Sequence, residues 1–170
     1  IHSIEDINSI NSREGAKYDA LIVCIDTEEG DKQEIEDRIL NDIKSKNIGF
    51  EGFDIIVFEQ KVCVETWFMG NRSIFKRNPQ DKTYRDYIQF YNVADKNPEL
   101  MGTLINEWKK AQFHYQYLRQ MFKERHIKYS KKNTAEVEKC SYLEQLIARY
   151  KDTGDIGSFG RWYQYMSSLK

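Results

Sequence analysis

Residues 18–26, YDALIVCID, constrain the fold of this chain more than any other stretch. Every side chain from Ala20 to Ile25 is apolar, and the run stops abruptly at Asp26. A half-exposed strand would alternate polar and apolar residues. An unbroken apolar run bounded by polar residues predicts a strand covered on both faces, as between helix layers. The segment TEEGDKQ that follows reads as a loop. Asp31 is placed to cap a helix, with Glu34 three residues on in the capping-box position. Ile35, Ile39, Leu40 and Ile43 then share one face of a helix over 32–46. NIGFEG breaks that helix, and FDIIVF, 53–58, reads as a second strand. Strand, helix and strand joined by short loops form a βαβ unit, which implies parallel strands and a right-handed crossover.

The rest of the chain reads as helical. VCVETWFMG, 62–70, follows a strand and a charged turn and is taken as a short helix. Residues 71–82 are polar loop containing Pro79, with a short helix over about 83–90. Leu104, Trp108, Ala111, Tyr115, Leu118 and Phe122 recur every three or four residues, which predicts a long helix over about 99–126. Further helices are expected over about 134–151, capped by Asn133 and stopped at Gly154, and from Ser158 to Leu169. In the last, Phe159, Trp162, Tyr163, Met166 and Leu169 are expected to face inward, and Ser158 is most simply an N-cap.

Composition bounds what such a chain can be. With 170 residues, 40% hydrophobic and 31% charged, it can form one compact domain and is too apolar for a disordered one. Residues 1–170 are therefore read as a single α/β domain with a helical extension from about 99. No apolar run approaches the roughly 18 residues of a membrane helix, so no membrane partner is expected. Cys24, Cys63 and Cys140 are an odd count without CxxC spacing. Cys24 and Cys63 lie in apolar stretches and are expected to be buried free thiols in a reducing compartment, so a cytoplasmic location is expected. His2, His114 and His126 are scattered. Charge is uneven: 6 Lys and Arg stand against 15 Asp and Glu over residues 1–60, and 20 against 12 over 61–170. An acidic front and a basic back suit a metal site beside a phosphate-binding surface, and equally suit helices with solvated outer faces.

Three groups of residues are able to carry chemistry. Asp26 and Glu28 are carboxylates one residue apart at the end of a buried strand, where ligands bind in parallel α/β sheets. Oxygen donors of this kind suit Mg²⁺. Glu29 and Asp31 add charge, and the alternative is that all four acids serve only the helix that follows. Glu65 is a lone carboxylate among Val62, Val64, Trp67 and Phe68. If buried it needs a partner, a proton or a metal; the alternative is an exposed position on a short helix. Glu59 competes with it. The third group is basic: Lys128, Lys131 and Lys132 around Tyr129, and Arg72, Lys76 and Arg77. Either set is able to hold phosphates or simply to be solvated. Asp26 as a phosphotransfer nucleophile uses the same strand end. GxxxxGK[ST], GxGxxG and GxSxG are all absent.

The strand ending in IDTE (25–28), the following helix and second strand, ETWF (65–68), Tyr129-x-Lys131 and the Ser158-Phe159 pair occur in an order that resembles the Toprim-like proteins of bacterial defence and mobile elements, the OLD-nuclease and RloB-like group. The resemblance covers most of the chain. It implies a Toprim-like parallel sheet with a helical C-terminal half and a nuclease acting on phosphodiester bonds with Mg²⁺ or Mn²⁺. Asp26 and Glu28 would be metal ligands and catalytic residues, with Glu65 supporting them. Lys131, together with Lys128 and Arg72, would bind substrate. Nucleic acid and a partner protein of a defence system are the implied partners. The family's usual Asp-x-Asp is Asp-x-Glu here. The glutamate that the family carries at the end of its first strand has no clear match here; if Ile1 to Ile7 follow that strand, the strand and its glutamate lie upstream of Ile1, and if the chain begins here the resemblance does not supply them. The alternative is a non-catalytic sensor or interaction module of a defence or toxin system.

Overall fold

A computed structural model describes residues 2–15, 17–45 and 53–169. The chain is mixed α/β, with seven α-helices and a two-stranded parallel sheet among the described residues. It divides into two compact units, Ile1–Glu59 and Gln60–Lys170.

The first unit opens with a helix, α1 (His2–Glu14), that the sequence reading did not predict. Its apolar residues are Ile4, Ile7 and Ile10, three apart and separated by polar residues. Ile4 is nonetheless buried. Asn11 ties the end of α1 to the segment leading into the next strand: its Oδ1 accepts from the backbone N–H of Lys17 and of Tyr18, both at 3.0 Å. Strand β1 (Ala20–Asp26), helix α2 (Lys32–Ser45) and strand β2 (Asp54–Gln60) then form the expected βαβ unit. Asp31 caps α2 as anticipated, its Oδ1 accepting from Gln33 N–H at 2.8 Å. Ile43 from α2 packs with Ile4 and Phe53, flanked by Ile7, Leu21, Ile39 and Ile55. The break expected at NIGFEG, 47–52, lies outside the described residues. One expectation is corrected. Cys24 is exposed, not buried, because it shares a strand face with Asp26, two residues on, and that face is open.

The second unit is helical: α3 (Val64–Phe68), α4 (Lys82–Phe90), α5 (Lys110–Lys123), α6 (Cys140–Thr153) and α7 (Gly157–Ser168). Phe113, Tyr117, Leu118, Met121 and Phe122 of α5 are fully buried. Each such side chain contributes about 1.5–3 kcal/mol of transfer free energy. Aromatic rings interlock around them: Tyr117 stacks on Tyr87 at 5.7 Å, and Phe122 on Tyr129 at 5.1 Å.

Several expected boundaries moved. The helix predicted over 99–126 starts only at Lys110. Pro98–Leu100 is a single 3-10 turn, and Thr103 Oγ1 then accepts from Ile105 N–H and donates to its carbonyl, a local loop that competes with helix. Leu104 is accordingly exposed. The helix predicted from 134 starts at Cys140, because Ser130 and Asn133 pair their backbones across a tight turn. Met166 and Leu169, expected inside, are exposed. Gly154 does stop α6, in the left-handed conformation.

Candidate functional site

Asp26 is the last residue of β1, and Glu28 follows in the turn 27–30, where Gly30 N–H donates to Thr27 O at 2.7 Å. Both carboxylate residues are exposed, while Thr27 between them is buried. Glu28 has φ of 48°, a left-handed conformation that costs a non-glycine residue about 1 kcal/mol or more. Mg²⁺ binds through one or two carboxylates while keeping water, so the donor chemistry of Asp26 and Glu28 fits it. No group of three or more His, Cys, Asp or Glu side chains is arranged to hold a metal among the described residues.

Glu65 lies in the second unit and is buried. The exposed-helix alternative therefore does not apply. Its carboxylate accepts from the Tyr129 hydroxyl at 3.4 Å. Burial, and then the charge of Glu65, hold the Tyr129 hydroxyl well above its ordinary pKa, so Tyr129 stays a donor. On the same short helix, Thr66 begins a second buried chain of polar groups. His114 Nε2 lies 3.0 Å from the Met101 carbonyl, which can only accept, so Nε2 carries the proton. Nδ1 therefore accepts from Thr66 Oγ1 at 2.8 Å, and the Cys63 sulfur lies 3.6 Å from the same oxygen. Burial pulls His114 down to about 4 and pushes Cys63 up to about 12, so neither is poised as a base or a nucleophile near neutral pH.

Ser158 is not the cap of α7; Ile156 holds that position in a left-handed conformation. Ser158 is instead buried inside a polar knot. Its N–H and hydroxyl both donate to Glu99 Oε1, and its oxygen accepts from Trp67 Nε1 at 2.7 Å. Glu99 thus places a carboxylate at the N-terminus of α7, where the helix dipole favours it.

The basic residues separate. Lys128 is exposed and lines a cavity of about 640 Å³ along the C-terminal half of α5. Lys131 lies 5.9 Å from the Tyr115 ring centre, on a ring that Arg119 also approaches, at 5.6 Å. Arg72 is engaged structurally: its Nε donates to Ala94 O at 2.9 Å and its Nη1 to Asp152 at 3.0 Å. Lys76 pairs with Glu124 at 2.9 Å.

The sequence reading missed Gln116, Arg119 and Lys123. They recur every three or four residues on the polar face of α5, opposite the apolar stripe, and converge on the cavity with Lys128. It also missed Thr66, His114 and Glu99, which carry no spacing signal. The chain matches no family model, no curated protein and no solved structure.

Proposed function

We propose that this chain is a Mg²⁺-dependent phosphodiester hydrolase of Toprim-like type, acting on nucleic acid. The observation that supports the reading best is the placement of Asp26 and Glu28 at the carboxyl end of β1, in a parallel βαβ unit, with both carboxylates open to solvent. Asp26 and Glu28 would hold the ion, which supplies positive charge to a phosphodiester under attack. Lys128 and Lys131 would position the phosphate backbone by charge. A second reading, a non-catalytic recognition module, is favoured by the absence of a third metal-capable side chain grouped with others among the described residues. It is also favoured by the capping already performed by Asp31.

Calorimetry with Mg²⁺ and Mn²⁺ on the wild type and on Asp26→Ala separates the two. The hydrolase reading expects binding that weakens at least tenfold in the variant. Equal binding by both proteins, or none by either, leaves the recognition module as the account of these acids.

A further inference from the structure

The end of α5 is built in an unusual way. Ile127 N–H donates to Phe122 O and His126 N–H to Lys123 O, both at 3.0 Å. This pairing is a Schellman motif, with His126 at the position where glycine is preferred. His126 adopts φ of 58° there. The motif occupies the last carbonyls of the helix, which would otherwise face an anion with partial negative charge. It also turns the chain so that Lys128 returns alongside α5.

The result is the cavity of about 640 Å³, lined by Arg119, Lys123, His126 and Lys128 together with the amides Gln116 and Asn133, among others. No carboxylate is among its lining residues. Lys123 is paired with Asp81 at 2.6 Å, so its charge is partly spent. Arg119 and Lys128 are exposed, and among the described residues no salt bridge engages either. Arg119 Nη1 donates to Gln116 Oε1 at 3.3 Å and contacts the Tyr115 ring. Cations near a helix C-terminus also stabilise the helix itself, which accounts for one or two of them. It does not account for a concave basic wall interleaved with amides and backed by Tyr129.

The geometry points to this cavity as a binding site for a nucleotide phosphate, either a free nucleotide or one link of a single strand. The volume falls in the range of small-ligand sites, about 300–1,000 Å³. The cations take the phosphate, and the amides offer donors and acceptors to sugar or base. The choice of a nucleotide over other anions rests on the phosphodiester reading above, but the site itself lies wholly within the second unit and needs no metal.

The test is fluorescence polarisation in EDTA at low salt, using a labelled oligo-dT, a labelled oligo-U and a fluorescent ATP analogue. Binding of at least one probe is expected, weakening as salt rises. Arg119→Glu and Lys128→Glu should each weaken it about tenfold, whereas Lys151→Glu, on α6, should leave it unchanged. His126→Gly should keep or raise Tm, since it relieves a left-handed residue, and yet weaken binding. Oligonucleotide binding without ATP binding assigns the site to a strand, and the converse to a free nucleotide. No binding of any probe by the wild type overturns the proposal, as does equal binding by the two charge reversals. Binding in EDTA without cleavage after Mg²⁺ is added would leave this site standing while the hydrolase reading fails.

Discussion

His114 shows how much a single buried ring can set. It is fully buried, and its two nitrogens are matched to one donor and one acceptor only in the neutral form. Burial pulls its pKa from 6.5 to about 4. The folded state therefore binds fewer protons than the unfolded state between these values, and stability rises with pH across that window. Full stabilisation is present above about 6.5 and is lost as pH falls towards 4, by about 3 kcal/mol. Urea unfolding at a series of pH values should show this slope, and His114→Gln should flatten it. An unchanged slope in the variant would assign the pH dependence to other groups. Glu28 poses the opposite case, a strained and exposed residue. Glu28→Gly should change unfolding free energy by less than about 1 kcal/mol while weakening Mg²⁺ binding. A large loss of stability with metal binding intact would make the residue structural.

Among the elements, α7 depends on a residue remote in sequence. Glu99 accepts the Ser158 N–H at 2.8 Å and its hydroxyl, and Ser158 in turn holds Trp67. Glu99→Ala leaves these buried donors without an acceptor, and a loss of about 2–3 kcal/mol is expected in denaturant unfolding. A loss below about 0.5 kcal/mol would show that water replaces the carboxylate. This knot also marks what the sequence could and could not display. Strands β1 and β2, helices α2 to α4 and the stop at Gly154 were legible from local pattern, although β1, read as covered on both faces, has no fully buried residue and exposes Cys24 and Asp26. Helix α5 was drawn too long because Leu104 and Trp108 extend its stripe in register, while Pro98, Gly102 and Thr103 favour a loop that no periodicity reveals. Ser158 reads locally as a cap, and only Glu99, 59 residues away, makes it a buried hub. Asp26 and Glu28 stood out as paired carboxylates where an apolar strand ends abruptly, and Lys128 as part of a basic cluster with Lys131 and Lys132. Arg119 and Gln116 did not, since polar residues on an outer helix face carry no pattern until a cavity gathers them.

Across the whole molecule, acid is concentrated over residues 1–60 and base over 61–170, and the two compact units divide almost at that point. No helix among the described residues is long and apolar enough to cross a membrane. Under the proposed hydrolase reading, this division would serve two tasks, holding a cation and holding a polyanion. The most direct measurement is cleavage of supercoiled plasmid and of single-stranded RNA with Mg²⁺, by the wild type, Asp26→Ala and the double variant Arg119→Glu/Lys128→Glu. Cleavage by the wild type should be abolished by Asp26→Ala and reduced through a raised KM in the double variant. Cleavage that persists in Asp26→Ala, or none by a wild type that binds both Mg²⁺ and strand, would contradict the assignment of Asp26 and Glu28 as a hydrolytic centre.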